Sequence, residues 1–339
     1  MQKLTREKFS YTVGKIAEAN GVADPSKKFT VEPSVAQKMK NAIQQSVAFL
    51  KQINVVLVPE MKGEAIGLTQ GQTIAGRTNT KEGTIRKAVD PTGLESNPYE
   101  CVQTNFDVAL RYEKLDAWAQ FPEFYAKWQA FVNRVIALDM IMIGWNGTSV
   151  AVTTNRTANP LLQDVNIGWL EKIRTKAPEH HMKQTEGGVK ANAVVIGATG
   201  DFKNLDALVV DVVSNLIDEV HQDDTDLVVI CGRQLLSDKN FPLVNDSKDN
   251  ADTLAGQVLL SQKQIGGLPA ARVPFFPDNA LLVTSLDNLS IYQQESAKRR
   301  SVEDNASLDQ VEDRQSSNDA YVVETYGKVA FVENIEIQD

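Results

Sequence analysis

The chain has 339 residues, 42% apolar and 23% charged, with 35 Lys+Arg against 44 Asp+Glu for a formal charge of −9. This composition excludes disordered and collagen-like chains, and the length allows two compact domains or one domain with large excursions. No apolar run reaches the roughly 18 residues that span a bilayer, no signal-peptide core follows Met1, and the acidic balance argues against binding a phosphate backbone; the expectation is a protein made and used in a cytosol-like compartment.

The charge is uneven. Residues 1–30 hold six Lys/Arg and three Asp/Glu, whereas residues 303–339 hold two and ten. Residues 5–19 read as a basic helix with Phe9, Val13, Ile16 and Ala17 on one face and Asn20-Gly21 as its stop. A linker at Asp24–Lys28 follows, and a second helix restarts at Val31–Ser34 with Val35, Met39, Ile43, Val47 and Leu50 in register. The first thirty residues therefore read as a detachable element or as an ordinary packed terminal helix.

Strands are expected at 53–58 and 99–112. Between them, residues 63–98 contain six glycines, six threonines and no aromatic residue. Such a segment buries too little apolar surface to offset its ordering entropy alone, and a gap this long inside a compact domain is unusual. An extended hairpin whose partners lie on another subunit accounts for both length and composition; a surface loop is the alternative.

The longest helix is expected over 121–143. Pro122 suits its first turn, Phe124, Trp128, Phe131, Val135, Leu138 and Met142 recur at intervals of four and three, and Gly144 ends the pattern. From Asn192 the pattern becomes α/β. Strands are expected at 193–196, 227–231, 271–275, 281–284 and 289–293, and helices over 205–220 and 249–263. After the polar run Glu295–Asp319, residues 321–325 and 329–332 are expected to form a closing hairpin.

Catalytic patterns are weak. Gly197-Ala198-Thr199-Gly200 sits between a strand and a helix, the context of a dinucleotide-binding turn, but GxGxxG is missing and Asp201 supplies a carboxylate where a phosphate would lie. The plainer reading is a tight turn capped by Asp201 or Asn204. His180, His181 and His221 have no metal-ligand spacing, Cys101 and Cys231 form no CxxC pair, and no activated-nucleophile motif occurs. No catalytic, cofactor or metal set is assigned, and the chain reads as a structural or assembly protein.

Long stretches carry a resemblance. Lys27-Lys28-Phe29-Thr30-Val31-Glu32-Pro33-Ser34-Val35, Glu60–Glu64, Asn159–Val165, Asp226–Ile230 with Gly232–Leu236, Leu268–Ala270 with Arg272–Pro274, and Asn288–Tyr292 follow one another as in the major capsid proteins of the P-two group of temperate, contractile-tailed bacteriophages. The chain resembles that family almost end to end. The resemblance implies the α+β capsid fold of the HK-ninety-seven type, with an N-terminal arm (1–52, of which 1–30 is removable), an extended hairpin or E-loop (53–118), a peripheral domain on a long spine helix (119–191), an axial α/β domain (192–290), and a return segment that closes the peripheral domain (291–339).

The same resemblance implies a non-enzymatic shell protein of the virion, assembled in the host bacterial cytoplasm. Its partners would be itself in hexamers and pentamers, an internal scaffolding protein that is also the maturation protease, a portal, and packaged double-stranded DNA held without sequence recognition. Cleavage is expected around Lys28, Phe29, Thr30, Val31 and Glu32. Intersubunit contacts are expected from Gly67, Gly71, Thr73, Gly76, Thr78 and Thr80. Some capsid proteins of this type cross-link a Lys to an Asn; Lys62 and Lys81 lie in the hairpin, but no partner is assigned, and a noncovalent shell is expected. The alternatives are an encapsulin-like compartment or, in another class, a dinucleotide-dependent enzyme using Gly197–Gly200. Loss of residues 1–30 would leave −12, the chain's −9 less the +3 of those residues.

Overall fold

A computed structural model describes residues 1–70, 74–82, 85–88, 92–119, 121, 123–235 and 260–338. The first part of the chain forms α1 (Lys3–Asn20), β1 (Phe29–Thr30), α2 (Pro33–Ser46), α3 (Ala48–Gln52), β2 (Asn54–Val58), β3 (Lys62–Gln70), β4 (Thr92–Glu100) and β5 (Val102–Arg111). Then come α4 (Tyr112–Trp118), α5 (Phe124–Asn146), α6 (Trp169–Lys176), β6 (His181–Met182), β7 (Val194–Ile196), α7 (Leu205–Leu216) and β8 (Leu227–Cys231). The last part supplies β9 (Leu260–Ile265), β10 (Leu268–Ala271), β11 (Leu281–Ser285), β12 (Leu289–Gln294), β13 (Arg299–Asn305), β14 (Gln310–Val323), β15 (Ala330–Val332) and β16 (Ile335–Ile337). Separate helical and mixed-sheet layers make an α+β fold.

One six-stranded sheet runs β1-β13-β14-β12-β2, with β5 also paired to β14; another runs β6-β15-β11-β8-β10-β9. In the second sheet β8 and β11 are buried at every position, because both faces are covered. Leu227, Val229, Cys231, Leu281 and Val283 join the core that contains Leu208, Val209 and Val212 of α7, whereas Val228, Ile230 and Leu282 join the core that contains α5 and α6. The period of two along each strand thus divides the apolar interior into two cores.

The long helix expected over 121–143 is present as α5, but its buried face is not the expected one. Val132, Ile136, Ala137, Met140, Ile141, Ile143 and Trp145 are buried, while Phe131 and Val135 of the expected stripe are 58% and 36% exposed and Leu138 and Met142 are half-buried. A helix this apolar supports several stripes of nearly equal spacing, so periodicity alone leaves its rotation open. Nor does Gly144 end it: α5 continues to Asn146, and a Cβ at Gly144 would lie 2.3 Å from the Trp169 ring. Gly144 is there to admit the indole.

Other expectations are corrected as well. The closing hairpin does not form, since 321–323 belong to β14 of the first sheet and β15 pairs with β11 and β6 of the second. The polar run 295–319 contains β13 and most of the 14-residue β14. Its charged side chains pair across the ladder: Arg300 grips Asp313 with Nε–Oδ1 and Nη2–Oδ2 distances of 2.9 and 2.8 Å, and Arg314 meets Glu303 at 3.0 Å. Residues 260–263 of the expected 249–263 helix are strand β9; the rest of that helix, and Pro122, lie outside the described residues. The helix expected from Val35 to Leu50 is interrupted at Val47, whose extended backbone separates α2 from α3.

Candidate assembly surfaces

β3 and β4 pair in nine-residue register, from Lys62 opposite Glu100 to Gln70 opposite Thr92, and form a sheet of two strands on their own. The strands on either side of this ribbon, β2 and β5, lie in the main sheet. Ala65, Tyr99 and Cys101 anchor its base against Val58, Ala320 and Val322, and the Tyr99 ring meets Tyr292 edge-on with centroids 5.0 Å apart. A Cβ at Gly63 would lie 2.7 Å from the Tyr99 hydroxyl, so the ribbon starts on a glycine that makes room for this anchor. Tyr99, which opens the strand expected over 99–112, is the first aromatic after a stretch without any and marks where the ribbon rejoins the body.

Beyond the base the ribbon has no third strand among the described residues. Gly67 pairs with Glu95; Gly76 and Thr78 lie in an exposed irregular segment, with open space where a Gly76 side chain would be; Thr80 opens an exposed 3₁₀ turn. Gly71 and Thr73 lie outside the described residues. Ile74 and Ile85 are 69% and 82% exposed. A two-stranded ribbon is marginal alone in water, and unpaired edges with exposed isoleucines are a template for another chain. Lys62 forms an ion pair with Glu100 at 2.8 Å.

The expected cleavage region is an edge. Phe29 and Thr30 pair with Arg300 and Arg299, and the Val31 N–H donates to the Lys298 carbonyl at 2.9 Å. Lys28, Thr30 and Glu32 are exposed, Phe29 is half-buried and Val31 is buried. Upstream, Gly21 takes the left-handed conformation at φ 62° that ends α1. The buried Asn20 side chain donates to the Ile16 carbonyl at 2.8 Å and accepts the Glu32 N–H at 3.1 Å, tying the helix end to the edge strand.

The Gly197–Gly200 turn is a structural one. The Asp201 carboxylate accepts the N–H groups of Val189 and Val195, both at 2.8 Å, so the acid itself occupies local donors; Asn204 caps α7 by accepting the Ala207 N–H at 2.8 Å. His180 faces the Leu216 carbonyl and His181 faces Glu333. Cys101 and Cys231 are buried, and burial pushes the Cys101 thiol up to about 11. Among the described residues no three His, Cys, Asp or Glu gather to hold a metal ion, and no helix is long and apolar enough to cross a membrane.

One ionic cluster ties α6 to the second six-stranded sheet. Glu333 accepts from Arg174 Nη2 at 2.7 Å and lies 2.9 Å from His181 Nε2, whose ring stacks on Phe331. Burial raises the Glu333 carboxyl, but the hydrogen bonds and charges of His181 and Arg174 outweigh it and hold the group at about 2, against an ordinary 4.5. Because its folded value is depressed, this stabilisation is complete above about pH 4.5 and is lost as pH falls through about 2. We expect it to amount to about 1–2 kcal/mol after solvent screening. Denaturant midpoints measured from pH 6 to pH 2 should show an acid loss that Glu333→Gln flattens.

Comparison with known proteins places these features in one group. Residues 8–335 match the family described as phage major capsid protein, P2 family. The chain is 48% identical to the capsid protein of Escherichia phage P2, across 100% of this chain and 96% of that one, and 39% identical to the major capsid protein of Serratia phage KSP20, across 99% and 97%. It superposes on a chain of the satellite phage P4 procapsid that includes the size determination (Sid) protein, with a TM-score of 0.79 and 44% identity, covering 100% of this chain and 99% of that one.

Proposed function

The chain belongs to the P2 family of phage major capsid proteins, and from that premise we propose how it assembles, matures and contains a genome. Copies join as hexamers and pentamers of an icosahedral procapsid, with the β3–β4 ribbon of each lying over a neighbour. The ribbon supports this reading most directly: it pairs as two strands with no third among the described residues, so its hydrogen bonds and exposed isoleucines find partners in a second copy.

Before maturation an internal scaffolding protein, which is also the protease, engages the basic residues 1–28. Cleavage then falls in Lys28–Glu32. β1 is held from one side only, and three of the five residues are exposed, so a protease reaches extended backbone by peeling a short edge strand rather than opening a core. A portal occupies one vertex, and DNA is contained by the closed shell and not by base recognition. The body left by cleavage is more acidic than the whole chain, which keeps contact with packaged phosphate weak. Assembly takes place in the host bacterial cytoplasm.

Electron microscopy of the chain expressed with and without its scaffold tests assembly; closed shells of uniform size are expected with the scaffold. Mass spectrometry of mature particles should give a chain starting within residues 28–33, and a denaturing gel should give a monomer band. An intact Met1 would contradict cleavage, and a ladder of multimers would contradict a noncovalent shell.

A further inference from the structure

The seat of α1 is sparsely packed. Although α1 is 18 residues long, the only apolar side chain it buries is Ile16, and Leu4 and Tyr11 stay 49% and 69% exposed. Beneath it a cavity of about 490 Å³ stays unfilled, lined by Leu110, Leu115, Trp128, Val132, Val302 and Val311 from the main sheet, α4 and α5. A terminal helix kept in place by apolar packing would fill that space.

Polar contacts hold it instead, and they converge on one joint. The Gln2 N–H donates to the Asp116 carboxylate at 2.9 Å. Arg6 reaches Asp304 at 3.5 Å, and the same carboxylate accepts the Tyr112 hydroxyl. Lys8 Nζ donates to the carbonyl of Ala119, at the end of α4, and at 3.5 Å to that of Phe121. A cation on the last carbonyls of a helix is favourable, and such contacts weaken with salt. Tyr112, Asp116, Ala119 and Phe121 all lie between β5, which continues from the ribbon, and α5, the spine. At its other end α1 is tied through Asn20 to Glu32.

We propose that α1 is a charge-latched plug: seated, it fixes α4 at the joint between ribbon and spine, and its release frees that joint and uncovers an apolar groove. The occupant of the groove in the full chain is α1 itself. Only one part rests on the function proposed above, that loss of residues 1–28 is what releases α1 in the particle. The latch also gives the basic charge of the terminus an intramolecular use, because Arg6 and Lys8 are two of its six cations.

Hydrogen exchange on the purified full-length chain tests this, comparing wild type with Arg6→Ala/Lys8→Ala and with a chain starting at residue 29. In the double variant, exchange should rise on the order of tenfold across residues 3–20 and 112–119, stay unchanged in β8 and β11, and increase less in 0.5 M salt than the wild type's does. Fluorescence of an apolar-surface dye should rise in parallel, and Lys8→Arg should retain the wild-type rates. Release of residues 3–20 with unchanged rates at 112–119 overturns the joint, and unchanged rates at 3–20 overturn the latch. Should the shortened chain not fold, the double variant still decides. An intact Met1 in particles removes the cleavage reading and leaves these rates as expected.

Discussion

Replacing residues 66–96 with an Asn-Gly link yields a subunit that folds but does not close into shells. Ala65 and Asn97 are register partners, so a two-residue turn joins them without moving either strand. The anchor survives, because Ala65, Tyr99 and Cys101 keep their packing against Val58, Ala320 and Val322. Because the anchor is kept, a melting-temperature change of only a few degrees is expected. Between subunits the loss is large. Each copy forfeits the ribbon's unpaired edges and the exposed Ile74 and Ile85, and the deficit repeats at every contact of a closed surface. Shell yield should fall at least about a hundredfold, since even 3 kcal/mol per contact corresponds to more than that in an equilibrium constant. Shells of normal number and size in electron micrographs would sink the ribbon's intersubunit role.

Gly144→Ala is expected to destabilise the subunit by about 2–4 kcal/mol, although alanine is the better helix former by about 1 kcal/mol. The new Cβ would meet three atoms of the Trp169 ring at 2.3–2.7 Å. That indole has no room to retreat. It is fully buried, packs against Trp145 at 4.8 Å and Tyr321 at 5.3 Å, and donates its Nε1–H to the Ser290 carbonyl at 3.0 Å. Trp169→Ala alone leaves a large cavity and should cost about 3–5 kcal/mol. In the double variant the methyl enters the emptied space, so the combined loss should be smaller than the sum by at least about 1 kcal/mol. Denaturant midpoints for the four chains give this cycle, and additive losses would rule out the steric account.

Much of this protein is legible in its residues. The Gly/Thr-rich, aromatic-free stretch points to an extended hairpin, Asn20-Gly21 to the end of the first helix, the apolar run at 227–231 to a buried strand, and 281–284 to a further strand. The ordered matches from Lys27 to Tyr292 pointed to the family. These features share a cause: each is dictated by backbone conformation or burial period within a few residues, and local sequence carries both.

The rest was decided between segments far apart in the chain. Which stripe of α5 faces inward depends on α2, α3, α6 and the sheets that meet it, and Gly144 acquires its meaning only from Trp169. Residues 295–319 look like a solvated acidic run until Arg300 faces Asp313 and Arg314 faces Glu303 across a ladder that makes them strands. Val329–Val332 has the pattern of a hairpin partner for 321–325, yet the buried edge of β11 claims it. In each case pattern alone leaves several nearly equal arrangements. The choice among them comes from pairing charges and filling space with partners in other elements of the fold, and no local period records that.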